Sequence, residues 1–356
     1  FLATISESFA TLALTAPAIF ASPTYIPNLF NPKSTINGVQ LGVISYSFRE
    51  LADQSAEAIL QYIKECGVNG VELMGETAES FLGSPENKID NKNFKVLSRK
   101  KNITEEERKH LADLILQKES YDKDYEHWRK KVSIADYARL RKMYNDAGVS
   151  IYAFKPNYLL SKGNSDANIN YAMQAGKILG ASHVTIELPR KPEHSLKLGQ
   201  LAEKNGIYIA YHGHEQQNPT WWDTALSQSP NNAINLDLGH YVAAGNSDPL
   251  RLIKDKYHHI LSMHVKDRKN PANGKMNVPF GKGDTPVKEA LQLMRDQKYT
   301  FPATIEYEYK TPAGSSIINE NQKKCDNFQT PTTLPNHTTI HSQTLPPLPT
   351  ELPKMP

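Results

Sequence analysis

The segment IYIAYHGH, residues 207–214, gives the strongest indication of the fold, because an apolar run there ends on two histidines. Four more apolar runs end on a carboxylate or a histidine: HVTIE (183–187), AINLDLGH (233–240), ILSMH (260–264) and ATIEYE (303–308). The candidate ligands in these runs are 25, 25, 27 and 42 residues apart. One strand, one helix and two short loops take roughly 25–40 residues. We therefore interpret the runs as successive strands of a parallel barrel, whose active site lies at the C-terminal strand ends.

Three earlier apolar segments complete the pattern: LGVIS (41–45), VEL (71–73) and VSIYAF (149–154). The sequence thus predicts an α/β fold, a (β/α)8 TIM barrel over residues 39–322. Residues 83–131 interrupt the alternation of strands and helices, because they are charged and only weakly apolar. They contain a Thr-capped amphipathic helix and predict a helical insertion after strand 2, which is either a lid over the barrel mouth or a surface decoration.

Both ends of the chain differ in composition from the barrel. Residues 1–21 are small and apolar and resemble the tail of an export signal, which predicts a periplasmic or secreted protein. The alternative is an ordinary N-terminal helix and a cytoplasmic protein. Residues 22–38 are rich in Pro and Asn and are interpreted as a linker. Residues 323–356 are rich in Thr and Pro without periodicity, which predicts a disordered tail.

Composition restricts the classes of partner. The net charge is only +3 over 356 residues, and the basic clusters fall in one segment that we interpret as solvated helix surface. We therefore expect no nucleic-acid partner. No internal stretch approaches the ~20 apolar residues of a membrane span, so we expect no stable membrane insertion of the mature form. The two cysteines lie far apart, which indicates neither a zinc cluster nor a disulfide framework.

The strand ends supply the donor atoms of a metal site. A single histidine or glutamate at a strand end is more often a hydrogen-bonded core residue, but several carboxylates buried together require a cation. Mixed carboxylate and imidazole donors suit Mn²⁺, Co²⁺, Fe²⁺ or Zn²⁺ better than Ca²⁺. We predict one divalent ion held by the following residues: Glu187, His212, Asp237, His264 and Glu306.

The motifs YHGHE, LDLGHY, MHVKD, FGKGD and TIEYE resemble the xylose isomerase-like barrels of the sugar phosphate isomerases and epimerases, over about residues 41–310. The resemblance implies four ligands, Glu, Asp, His and Glu, from successive strands. Asp237, His264 and Glu306 match three of them, and the first falls at His212. The family's two glutamates form its acid/base pair, so the resemblance implies catalysis by Glu306 with either His212 or Glu187.

Other polar and aromatic side chains are candidates for substrate contact. His214 shares a strand face with His212, and His240 is expected to contact a substrate oxygen. Lys155 and Lys266 are either oxyanion stabilisers or surface lysines. Trp222, next to Trp221, either stacks on a sugar or packs in the core. The FGKGD loop (280–284) is a weak candidate for binding phosphate.

The resemblance implies a divalent-metal-dependent sugar isomerase or epimerase that removes a proton from a keto-sugar or a related small carbohydrate. The YHxH pattern is shared with inosose dehydratase-like and keto-glycoside lyase-like proteins, so a lyase or dehydratase is an alternative. A barrel that binds carbohydrate without catalysis is another alternative. A DNA-repair enzyme like endonuclease IV is disfavoured, because strands 2 and 3 end in VELMG and YAFKPN without a histidine.

Overall fold

The computed structural model describes residues 35, 36 and 38–329. Eight parallel strands pair in sequence order, and the first also pairs with the last, so that the sheet closes into a barrel. This confirms the predicted (β/α)8 fold. The strands are β1 (Val39–Ile44), β2 (Gly70–Met74), β3 (Ser150–Lys155), β4 (His183–Glu187), β5 (Tyr208–His212), β6 (Asn232–Asp237), β7 (Ile260–Val265) and β8 (Ala303–Ile305).

Strand register brings the candidate ligands to one level of the barrel. Glu187 pairs with His212 across β4 and β5, and Asp237 pairs with His264 across β6 and β7. Glu306 directly follows β8. Because all eight strands run in the same direction, these side chains share the C-terminal mouth.

Helices surround the barrel and turn their apolar faces toward the strands. Gly180 and Gly206 end two of them in the left-handed region, with φ of 89° and 63°, where a residue without a Cβ avoids strain. The helices are α1 (Ala56–Glu65), α2 (Gly75–Phe81), α3 (Asn91–Leu97), α4 (Glu105–Lys131), α5 (Tyr137–Asp146), α6 (Asp166–Leu179), α7 (Pro192–Asn205), α8 (Asp223–Gln228), α9 (Leu238–Ala243), α10 (Pro249–Lys256), α11 (Val287–Asp296) and α12 (Ile317–Gln329).

The helices α3 and α4 form the helical insertion after β2. Thr104 and Glu107 make a reciprocal capping box at the start of α4. Most of α4 is exposed, but Tyr125 is buried and its hydroxyl donates a hydrogen bond to Glu79 on α2. Asn157, after β3, donates to the same carboxylate over 2.7 Å. The C-terminal half of α4 is thus fastened to the rim of the barrel mouth beside β2 and β3.

The last helix corrects the predicted start of the tail. The helix α12 continues to Gln329, six residues beyond residue 323, where the tail was predicted to start. Its polar sequence is held by hydrogen bonds that a periodicity argument does not detect: Glu320 accepts from Tyr309 over 2.7 Å and from Ser315 over 2.6 Å. The remainder of the predicted tail, the predicted export signal and most of the predicted linker lie outside the described residues. Within the described part of the chain, no helix has the length and apolarity needed to cross a membrane.

Candidate metal centre

Three ligand-type side chains converge at the barrel mouth. His212, Asp237 and His264 each offer a donor atom, and these atoms lie within 4.8 Å of one another. Asp237 Oδ2 lies 4.0 Å from His212 Nε2 and 3.9 Å from His264 Nδ1. Donors bound to one ion at about 2.0–2.2 Å are roughly 3–4 Å apart. The spacing therefore fits a single transition-metal ion.

The Asp237 carboxylate supports this fit. Its Oδ1 accepts a hydrogen bond from the His240 backbone N–H over 2.7 Å and caps α9. Its Oδ2 is buried and accepts no hydrogen bond of favourable geometry. A buried carboxylate oxygen is costly unless a donor or a cation faces it. The groups that face this atom are the Lys266 ammonium group at 3.0 Å and the two histidine rings, so the atom marks a place for positive charge.

The ammonium group of Lys266 lies against the same carboxylates. Its Nζ is 3.0 Å from Asp237 Oδ2, 2.8 Å from Glu306 Oε2 and 2.6 Å from Glu308 Oε2. Burial opposes the charged form of Lys266, but these three carboxylates raise its pKa above the usual value. Lys266 was predicted as an oxyanion stabiliser or a surface lysine. The structure shows a buried lysine that pairs with predicted metal ligands.

Two residues that the sequence analysis missed orient the ligand histidines. Glu72 on β2 is fully buried, and its Oε2 lies 2.8 Å from His264 Nε2. Asn235 Oδ1 lies 2.9 Å from His212 Nδ1, which leaves His212 Nε2 directed toward Asp237. Asn235 also donates to Glu72 over 3.0 Å. A carboxylate or amide behind a ligand histidine fixes its tautomer and ring orientation. Glu72 could have been found from the sequence, because it is a carboxylate inside the otherwise apolar strand segment VEL.

The environment gives the two histidines different charge states. Burial lowers the pKa of His212 to about 4, so its imidazole is neutral at neutral pH. Burial also acts on His264, but Glu72 and Glu306 outweigh it and raise the pKa of His264 to about 10. Glu306 Oε2 is 2.8 Å from His264 Nδ1, on the side opposite Glu72. Because a metal ligand must be deprotonated, metal binding would release a proton from His264.

Glu187 belongs to a second group on the rim. Its Oε2 lies 3.1 Å from His214 Nδ1, and its Oε1 lies 3.5 Å from Lys155 Nζ. The His214 ring lies 4.4 Å from the ring of His240, centroid to centroid. The structure therefore groups Glu187 with these rim residues and not with the three donor atoms around Asp237 Oδ2. Arg268 contacts His240 Nδ1 and closes the other side of this group.

The structure corrects the expectation that Trp222 stacks on a sugar. Trp222 is 0% exposed and lies in the hydrophobic core, where its indole N–H donates to the Tyr211 carbonyl over 3.0 Å. A ring held at that depth presents no face to the mouth. Its neighbour Trp221 is only partly buried and lines an adjacent cleft.

The structure also removes the phosphate-binding candidate. In the FGKGD loop, the backbone N–H groups of Gly281 and Gly283 both donate to Asp267 Oδ2 over 2.8 Å. The Thr285 N–H donates to Asp267 Oδ1 over 3.2 Å. The Asp267 carboxylate thus accepts the hydrogen bonds that a bound phosphate would need.

A cleft of about 660 Å³ opens beside Glu187 and His214. Its lining mixes apolar surface with polar groups and reaches from the ends of β4 and β5 to α7 and α8. The lining residues are Glu187, Leu188, Pro189, Arg190, Pro192, Ser195, His214, Gln216, Trp221, Thr224 and Ala225.

Comparison with known proteins agrees with this architecture. The family model described as xylose isomerase-like TIM barrel matches residues 60–326. The chain resembles the probable 3-DHS dehydratase AsbF from Bacillus anthracis, with TM-score 0.54 and 16% identity over 81% of this chain and 99% of that chain. It also resembles the 3-keto-D-glucoside 4-epimerase YcjR from E. coli, with TM-score 0.51 and 10% identity over 81% and 99% of the two chains.

A xylose isomerase domain protein from Planctomyces limnophilus gives a TM-score of 0.52 and 12% identity, over 81% of this chain and 95% of that chain. No curated protein matches the sequence. At these identities the structural likeness concerns the fold alone.

Proposed function

Because the chain belongs to the xylose isomerase-like TIM barrel family, we propose that it is a divalent-metal-dependent sugar isomerase or epimerase. The observation that carries the proposal is the convergence of His212, Asp237 and His264, whose ligand atoms lie within 4.8 Å of one another in the buried barrel mouth. The substrate class is a small carbohydrate with a carbonyl next to a hydroxyl-bearing carbon.

The residues that would hold the ion are His212, Asp237, His264 and Glu306. When bound, the ion supplies positive charge that stabilises the negative charge developing on substrate oxygens as the neighbouring carbon loses its proton. Glu72 and Asn235 keep the two histidine rings in place for this task.

Glu187 is the better general base of the two glutamates. Burial works against ionisation of both glutamates. The neighbouring His212, His214 and Lys155 hold the pKa of Glu187 below its usual range. Glu306 is ionised too, but it is engaged by Lys266 and His264, each 2.8 Å away. Glu187 is also paired, but over the longer distances of 3.1 Å to His214 and 3.5 Å to Lys155. Because its side chain is partly exposed beside the centre, a substrate carbon can reach its carboxylate.

His214 and His240 complete the proton chemistry. Pairing with Glu187 raises the pKa of His214, so His214 is suited to carry a proton near neutral pH and return it. Burial, together with Lys266 and other neighbouring cations, lowers the pKa of His240 to about 2. His240 therefore meets a substrate oxygen as a neutral ring.

The test compares metal binding and proton exchange in matched variants. Elemental analysis of wild type should give about one transition-metal ion per chain. Asp237→Asn keeps the cap oxygen for α9 but weakens the ligand, and should lose the ion without unfolding. Glu187→Gln should keep the ion and lose deuterium incorporation from D₂O into a panel of keto-sugars. A wild type that binds no Mn²⁺, Co²⁺, Fe²⁺ or Zn²⁺ would contradict the proposal.

One observation favours elimination as a second candidate. The His214 proton beside Glu187 is well placed to protonate a leaving group, which is what a lyase or dehydratase requires. An unsaturated product would identify elimination, whereas deuterium in an otherwise saturated sugar would identify isomerisation or epimerisation. A bound ion without any exchange or product would identify a barrel that only binds carbohydrate.

A further inference from the structure

The cleft beside the metal centre has more room than the reacting sugar needs. Its volume is about 660 Å³, and pockets of roughly 300–1,000 Å³ accommodate ligands well beyond the size of one monosaccharide. Glu187 and His214 line the cleft and also form the rim of the metal centre. A ligand whose reacting ring lies at the centre would therefore extend into this cleft.

We propose that the cleft is a subsite for a second sugar unit, so that the substrate is a disaccharide or another glycoside with a sugar-like substituent. This inference rests on the proposed function, and it adds the size and class of the substrate. The lining of the cleft offers an apolar wall and polar groups, which match the two kinds of surface on a pyranose ring.

An aromatic wall supplies the apolar side of the subsite. Trp221 is partly buried and borders the cleft. Its ring packs edge-on against Trp222, with centroids 5.0 Å apart and an interplanar angle of 77°. Trp222 is fixed in turn by its hydrogen bond to the Tyr211 carbonyl. The wall is therefore rigid before a ligand arrives, and the C–H face of a sugar can pack on it without ordering a mobile side chain.

Unpaired polar side chains supply the polar side of the subsite. Among the described residues, the side chains of Arg190 and Gln216 have no hydrogen-bond or ion-pair partner, and both border the cleft. The Thr224 hydroxyl lies on the same lining. These groups can bind ring hydroxyls, and no neighbouring protein group has to be displaced first.

The experiment measures binding of unreactive sugars to the metal-loaded protein by calorimetry. The probes are glucose and methyl β-glucoside, compared with cellobiose, lactose, maltose, trehalose and sucrose. We expect at least one disaccharide to bind about tenfold or more tightly than the monosaccharides. Trp221→Ala should remove most of that advantage and leave monosaccharide affinity unchanged. Arg190→Gln, a substitution at an exposed side chain, should reduce it by a smaller factor.

Control variants show whether a loss of disaccharide binding comes from the subsite or from a folding defect. Trp221→Phe retains an aromatic wall and should retain part of the advantage. Tyr257→Ala removes a partly exposed aromatic residue just before β7, at the opposite end of the barrel, and should have no effect. Equal losses of monosaccharide and disaccharide affinity in Trp221→Ala would overturn the subsite, as would seven sugars of equal affinity in wild type. Failure to bind metal would overturn the proposed function instead, and the same comparison of sugars on the metal-free protein would then test the subsite.

Discussion

His264 is bonded at both ring nitrogens, with Glu72 at Nε2 and Glu306 at Nδ1, each over 2.8 Å. Glu72→Gln replaces the anionic acceptor with an amide of the same shape. We expect metal affinity to fall about 10- to 100-fold, because the ring loses the partner that fixes its orientation and basicity. Competition against a chelator measures this change. Glu86→Gln, at an exposed position, is the control, and equal affinity of Glu72→Gln and wild type would contradict the role of Glu72.

Lys266 provides a second test, because its ammonium group occupies the space among the predicted carboxylate ligands. Lys266→Met should increase metal affinity about tenfold, since the ion no longer competes with a tethered cation. In EDTA the same variant should unfold at a lower temperature than wild type, because Asp237 and Glu306 lose their buried counter-charge. Lys266→Arg keeps the charge and is the control. A fall in metal affinity in Lys266→Met would refute this competition.

The residues at the strand ends were easier to predict from the sequence than the residues that hold the ligand histidines from behind. Asp237 and His264 could be chosen because a ligand-type residue ends an apolar run, and strand register then places both at one level. Glu72 and Asn235 could not be chosen in that way. Their hydrogen bond joins positions 163 residues apart across the barrel interior, and no local spacing encodes such a contact.

The contact between the inserted helix α4 and the barrel rim can be tested through Glu79, which accepts a hydrogen bond from Tyr125. Burial raises the pKa of Glu79 to about 8, although Arg129 opposes the rise. An unfolded glutamate titrates near pH ~4.3. Between these values the folded protein holds a proton that the unfolded chain has released, so the free energy of unfolding decreases as pH rises through this window.

Glu79→Gln should remove this contribution. Relative to wild type, the variant should gain at least about 1 kcal/mol in free energy of unfolding between pH 5 and pH 9. Urea denaturation at both pH values measures the gain. The comparison with wild type cancels the groups of the metal site, which titrate in both proteins. Glu119→Gln, an exposed change on α4, should show no such gain, and a pH-independent difference for Glu79→Gln would refute the assignment.

Elements with strong local signals were predictable, and those stabilised by distant contacts were not. Gly180 and Gly206 mark the ends of α6 and α7 because only glycine enters the left-handed region without strain. The helix α12 has a weak apolar face, and hydrogen bonds of Glu320 to Tyr309 and Ser315 hold its start. Composition alone therefore placed the predicted boundary within that helix.

For the whole molecule, the metal proposal predicts a gain in stability. At an ion concentration about 100 times the Kd, binding to the folded state alone stabilises by about 2.7 kcal/mol. We expect the Tm to rise by several degrees on addition of Mn²⁺, Co²⁺ or Zn²⁺. The Tm of Asp237→Asn should rise little or not at all with the same ion. Differential scanning calorimetry with and without EDTA measures both, and equal shifts in the two proteins would place the ion elsewhere.

The seam between β1 and β8 has a consequence for biosynthesis. It pairs Leu41 with Ala303, two residues 262 positions apart in the chain. During translation, β1 leaves the ribosome long before its partner exists, and the growing sheet has two open edges until residue 305 emerges. Open strand edges recruit other chains, and long-range closure slows folding. Nascent chains that stop between β7 and β8 therefore carry most of the sheet but not its closure, and these truncated products are the ones expected to aggregate or to require a chaperone.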